Sequence, residues 1–258
     1  MGRIESEAAM RFKIRTRVLL PFLLCIVFNR SATAQTRPGL SNCLHESGQQ
    51  IVHDAAWLGH GLESAPGAAI KPHNLAWELP VAASTAALIA WADTPASRRI
   101  QSRSLQQDAS RWSNVGLGLE LGTAALTYGV GCATGQTNSR QTGLLALEAA
   151  GVASAMTYVI QKGVNRQRPF QNNGAGEFWE GGTSFSSGHA AASFAFASVV
   201  AHRYPHKAWI KWGAYAAAAA VSLSRYPAKQ HFLSDILVGS TLGYVTGTYL
   251  ASPHTGIQ

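Results

Sequence analysis

Charged side chains are scarce in this sequence. Asp, Glu, Lys and Arg make up 13% of its 258 residues, against about 25% in an average soluble domain, so a charge-solvated disordered chain is excluded. Acidic residues are sparse, and no cluster of His, Cys, Asp and Glu has the spacing of a metal site. His53, His60 and His73 are scattered through the N-terminal third and read as ordinary surface or core histidines. Three cysteines are too few for a disulfide-rich scaffold. No stretch alternates apolar and polar residues as a strand would, and no internal repeat occurs. A polybasic run interleaved with aromatics is also missing, so nucleic acid is not an expected partner.

What is abundant is apolar and small. Hydrophobic residues reach 47% and glycines number 25, enough to build a substantial core. Much of the formal +8 charge sits at the start. From Met10, Arg11, Lys13, Arg15 and Arg17 form a basic region, Val18 to Phe28 an apolar one, and "SATAQ" supplies Ala32 and Ala34 as small residues for cleavage. This is the layout of a secretory signal peptide over residues 1–34. Its removal leaves 15 basic and 11 acidic side chains, a mild net +4, available to an anionic substrate. The expected destination is the periplasm or cell envelope, where Cys43 and Cys132 could pair.

Residues 35–72 read as an N-terminal extension, loop-like to about Gln50 with a short helix from Ile51 to Leu62. Residues 73–251 read as one all-α helical bundle of about six core helices, and residues 252–258 as a tail. The helical runs are Leu75 to Trp91, Trp112 to Cys132, Arg140 to Asn165, Ala190 to His202, Lys207 to Leu223 and His231 to Leu250. Several are long enough to cross a bilayer. Their Ala, Gly, Ser and Thr content suits either a soluble bundle or tightly packed membrane helices. Lone glutamates in three of them and a mean hydropathy near zero tip the reading towards a soluble or peripheral bundle.

Two loops interrupt the helices: Phe170 to Ser187, and "RYPAKQ" before the last helix. Unusual residues flank both. In "SRYPAKQHFLSD", Asp235 lies one turn beyond His231 if His231 opens a helix. A carboxylate there would fix the imidazole tautomer. In "SSGH", Ser186 or Ser187 is a good N-cap, Gly188 lets a ligand approach the backbone, and free N–H groups at a helix start suit a phosphate. In "QKGVNRQRPF", Pro169 ends a helix, and Arg166 and Arg168 sit where cations are favoured at its C-terminus. Arg168 could instead grip a phosphate with its planar fork.

The joint order of these stretches resembles the type 2 phosphatidic acid phosphatase and vanadium haloperoxidase superfamily. The third motif, Ser224-Arg225 followed by His231 and Asp235, matches fully. The second, usually Pro-Ser-Gly-His, has Ser186 in place of proline. In the first, the usual lysine position falls on Gln161, with Lys162 next to it. The two point about 100° apart on a regular helix, so either residue could fill the place.

The resemblance implies a fold of the same helical type, no metal and no cofactor. It also implies a phosphohistidine mechanism. His231 is the nucleophile, Asp235 its orienting partner and His189 the acid and base. Arg168, Arg225, Ser187, Gly188 and Lys162 are phosphate ligands. The implied function is an exported phosphatase for a phosphomonoester or diphosphate. Apolar helices and export favour a lipid phosphate and membrane contact, and oligomeric state is not readable. The same cluster could hold vanadate as a haloperoxidase, or bind lipid phosphate without turnover. In the long loop, Phe178 and Trp179 could meet an apolar part of the substrate or pack the loop down.

Overall fold

The computed structural model describes residues 40–69 and 71–252. The expected signal peptide at 1–34 and the end of the tail lie outside the described residues. Among those described, the chain is helical with no strand, so the all-α expectation holds.

Helix α1 spans Leu40–Ala69. It is far longer than the short helix expected, because tertiary anchors override the weak local propensity of "SNCLHESGQQ". Cys43 is disulfide-bonded to Cys132. Tyr128 donates a hydrogen bond to Ser47 Oγ at 3.0 Å, and Glu46 pairs with Arg140 at 2.6 Å. Helix α2, Pro72–Ala87, starts with a proline in its first turn, where no backbone donor is lost. It runs through a π-turn at Leu88–Ala92 into the short α3, Asp93–Arg98. That turn carries Asp93 into the protein, where it is fully buried.

Helix α4, Arg103–Thr134, is capped by Ser102 and closed by Gly135 at φ 71°. The left-handed backbone there suits glycine. Helix α5, Thr137–Val164, ends at Asn165, also left-handed. Helices α6 (Gly188–Arg203), α7 (Ala208–Ser224) and α8 (Leu233–Ala251) complete the bundle.

Helix α6 is the hub. Its alanines and valines are buried along most of its length. Its contact with α8 is unusually close. A Cβ added at Gly239, Gly243 or Gly247 would lie 2.4, 2.1 or 2.4 Å from the carbonyl oxygens of Ser187, Ala191 and Ala195 respectively. The pairs climb both helices together in steps of four residues. Helices α6 and α8 therefore run parallel, with backbones in contact through small residues. Parallel packing brings both N-termini to one end of the bundle.

Two stretches, Pro72–Arg98 and Thr137–Val164, are long and apolar enough to cross a membrane. In the second, 44% of the most apolar window is buried within the protein, but in the first only 6%. Trp77, Leu79 and Trp91 on that first stretch are exposed. A stretch so apolar and so little covered by the described residues presents an apolar face to its surroundings.

Candidate active site

The C-terminal ends of α5 and α7 and the N-terminal ends of α6 and α8 converge. The long loop between α5 and α6 folds back against its own start. Trp179 N–H donates to the Val164 carbonyl (3.0 Å), Gly182 N–H to that of Asn165 (3.0 Å) and Ser184 N–H to that of Arg166 (2.9 Å). At Gly182 a Cβ would lie 2.0 Å from the Arg166 oxygen, so only glycine permits that approach. The loop thereby delivers residues 183–187 beside residues 166–168.

His231 lies just before α8 rather than inside it, and is 2% exposed. Its Nδ1 is 2.7 Å from the Ser184 carbonyl oxygen. A carbonyl only accepts, so Nδ1 carries the proton and Nε2 holds the lone pair. Burial, then Arg225, then Arg168, push its pKa well below the ordinary 6.5. The imidazole is thus neutral at neutral pH.

His189, the second residue of α6, has Nε2 2.9 Å from Asn114 Oδ1 on α4. Its pKa is pushed down to about 4 by burial, Arg225 and Arg168. His189 also adds to the depression at His231. Two imidazoles and two guanidiniums from three distant motifs therefore share one electrostatic environment.

Neither guanidinium is paired with a carboxylate among the described residues. Arg225, 5% exposed, donates to Ser113 Oγ at 2.8 Å and to Asn114 Oδ1 at 3.3 Å. Its buried Nε has no hydrogen-bond partner among the described residues. Burial and Arg168 push its pKa down to about 10, so it remains a cation. Arg168 donates from Nε to Thr183 Oγ1 at 3.1 Å and from a terminal nitrogen to Gln230 Oε1. Two cations held by neutral acceptors leave a net positive pocket. The N-termini of α6 and α8 add to it, and such a pocket suits a polyanion.

Two expectations drawn from the motifs, for Asp235 and Lys162, differ from the geometry. Asp235 does not bond His231. Its Oδ1 accepts from Arg166 at 2.7 Å, and its Oδ2 accepts from Ser184 Oγ at 2.5 Å and Phe232 N–H at 2.8 Å. The reason is local: α8 begins after His231, so Asp235 falls in its first turn and caps it. Asp235 reaches His231 indirectly, through Ser184, whose carbonyl holds the ring, and through the Phe232 N–H beside it.

Lys162 is exposed, with Nζ 5.4 Å from the centre of the Tyr158 ring. Gln161 points the other way and donates to the Ser186 carbonyl at 2.7 Å. With α5 regular to Val164, the 100° between neighbours decides the case: Gln161, not Lys162, faces the second motif. Ser187 is fully buried, and its Oγ accepts from Ala190 N–H as the cap of α6. Its own N–H is used by the Asp235 carbonyl at 3.0 Å. Only its hydroxyl hydrogen remains for a ligand, while Gly188 sits at the start of α6.

Arg166 carries more of the site than its sequence position suggests. It is 1% exposed and bonds Asp235 Oδ1 at 2.7 Å, Ser234 Oγ at 2.8 Å, Asp93 Oδ2 at 2.9 Å and the Gly176 carbonyl at 3.1 Å. The Phe178 and Phe232 rings lie 4.7 and 4.2 Å from its guanidinium carbon. Phe178 thus packs the loop down, while Trp179 is 76% exposed. The signal in the sequence is Asp93, a lone acid at the end of an apolar run, which requires a buried cation.

No curated protein matches the chain. The crystal structure of the first transmembrane PAP2 type phosphatidylglycerolphosphate phosphatase from Bacillus subtilis aligns at 20% identity, over 76% of this chain and 93% of that one, with a TM-score of 0.44. Residues 142–255, which hold all three motifs, match the family model of the PAP2 superfamily, and the resemblance read from those motifs is borne out there.

Proposed function

We propose that the protein is a metal-independent phosphohydrolase that cleaves a phosphate ester or diphosphate through a phosphohistidine. The observation that carries this reading is the grouping of a buried neutral His231 with a second imidazole and two guanidiniums whose hydrogen bonds go to neutral groups. His231 Nε2 attacks phosphorus in line with the leaving oxygen. An N–P bond forms as the P–O bond breaks, and His189, protonated once the anionic substrate is bound, gives its proton to the departing oxygen. Water then attacks phosphorus while His189 takes its proton. The N–P bond breaks and Nε2 regains its lone pair. Arg168, Arg225 and the Gly188 N–H surround the phosphoryl oxygens, where charge is redistributed in the transition state. Asp235 and Ser184 keep Nδ1–H of His231 engaged, so that Nε2 is the nitrogen that reacts.

A lipid phosphate is the substrate we favour. An apolar cavity of about 640 Å³ lies between α2, α6, α7 and α8, lined by Trp77, Leu88, Phe194, Leu223, Leu233 and Leu237 among others. Leu223 and Leu233 flank the chain that carries Arg225 and His231, so an apolar tail in this groove would leave its phosphate beside them. The exposed apolar stretch Pro72–Arg98 would hold the protein at a membrane, and export by residues 1–34 would put the site in the cell envelope.

The test is phosphate release from phosphatidate, a polyprenyl diphosphate and a soluble monoester, in detergent. Wild type should turn over at least one, trap an acid-labile phosphoenzyme and be inhibited by vanadate. His231→Ala should do none of these. Halide oxidation on adding vanadate would establish a haloperoxidase instead, and turnover by His231→Ala would remove the proposed nucleophile.

A further inference from the structure

The three motifs do not account for what holds His189. Its ring contacts α4, which lies outside the stretch that matches the family model. Asn114 Oδ1 is 2.9 Å from His189 Nε2 and 3.3 Å from an Arg225 terminal nitrogen. The second contact settles the chemistry of the first. A guanidinium only donates, so the Asn114 atom between the two is its oxygen rather than its amide nitrogen. That oxygen only accepts, so His189 Nε2 must carry a hydrogen. The preceding residue, Ser113, is fully buried; its Oγ donates to the Ser110 carbonyl at 2.9 Å and accepts from Arg225 at 2.8 Å.

The geometry points to Asn114 as a positioning residue for the proposed phosphohydrolase, one that fixes the His189 tautomer and ties that ring to Arg225 through a single amide oxygen. This rests on the functional reading above. While Nε2–H stays with Asn114, the proton passed to the leaving oxygen and later taken from water is exchanged at Nδ1. Asn114 lies at the exposed mouth of the pocket, so a bound substrate would cover this hydrogen bond and strengthen it. The charged and titratable groups acting on His189 are Arg225 after α7 and Arg168 after α5, with His231 before α8. No carboxylate is among them, and a neutral amide keeps it so. Ser113 has the separate task of steadying Arg225.

The experiment compares Asn114→Ala, Asn114→Asp and Ser113→Ala in the full chain. Asn114→Ala should lower kcat about tenfold to a hundredfold with little change in KM, because Ser113 still holds Arg225. Ser113→Ala should raise KM and leave the pH profile in place. Asn114→Asp puts a carboxylate on Nε2–H, favours the imidazolium and should move the limb of the kcat profile that reports His189 upward by about one pH unit. Nitrogen NMR of the imidazoles gives a readout free of turnover: His189 should be the Nε2–H tautomer in wild type and lose that preference in Asn114→Ala. An active wild type whose profile is unmoved by Asn114→Asp, and whose kcat survives Asn114→Ala, overturns the inference and spares the phosphohydrolase reading. An inactive wild type sinks that reading, and the NMR comparison then decides the tautomer by itself: an unchanged tautomer in Asn114→Ala overturns the role of Asn114.

Discussion

Arg166 and Arg168 stand two positions apart and have opposite tasks. Arg168 is half-buried, held by Thr183 and Gln230, and leaves its charge to the pocket. Arg166 spends its charge inward on Asp93 and Asp235. Removing one member of such a buried network strands the others, at about 3–5 kcal/mol. Arg166→Met should therefore lower unfolding stability by about that much, measured by chemical denaturation. Lys162→Ala, on the exposed face of α5, should stay within about 0.5 kcal/mol of wild type. It should also keep most of its turnover, whereas Arg168→Ala should lose it. Equal losses for Lys162 and Arg168 would restore the lysine to the pocket. That the two histidines and Arg225 come together was legible from the joint order of the three motifs and their resemblance to a known superfamily. The division of labour between the two arginines was not. Both follow the end of the same helix, and only the fold-back of the long loop decides which one turns inward.

The close contact of α6 and α8 converts two distant motifs into one pocket. Helix α6 begins at the second motif and α8 just after the third, and the glycine pattern locks them in parallel register. Gly243 is the tightest point, with the Ala191 carbonyl 2.1 Å from where a Cβ would stand. Gly243→Val must push the helices apart, since neither neighbour is a flexible side chain. The expected cost is about 1–3 kcal/mol in stability. A kcat loss should also remain at temperatures where the variant is folded, because His189 shifts relative to His231. Activity assays beside circular dichroism melts check both, and a folded variant with full kcat would show that α6 and α8 are not what sets the ring-to-ring distance. Helix positions were largely readable from apolar runs. The true extent of α1 was not, since it depends on the Cys43–Cys132 bond and the Glu46–Arg140 pair, which no local pattern encodes. The π-turn before Asp93 is equally invisible to periodicity, because it breaks the period from which it would be read.

Across the molecule, the residues of the candidate site gather at one end of the bundle, and the pocket there is a concentration of positive charge suited to an anion. Both histidines titrate below their ordinary value in the fold. In the unfolded chain they would bind protons near pH 6.5. Between that pH and the folded-state values, the unfolded chain holds protons that the folded chain refuses, so these two groups weaken the fold as pH falls, while Glu120 and Glu148, raised by burial to about 7 and about 8, act in the opposite direction. A bound dianion reverses the balance at His189 by favouring the imidazolium, so the complex takes up a proton on binding. Sulfate is the suitable probe, since it remains a dianion throughout this range. The melting temperature should be higher with sulfate than without it, and the gap between the two curves should widen from about pH 7 to about pH 5. His189→Gln cannot take up that proton, so its gap should widen less on acidification than that of wild type, with His231 left to respond alone. A wild-type gap that is independent of pH, or one that His189→Gln leaves unchanged, would mean that His189 does not face the anion, and the acid–base step would have to be given to another residue.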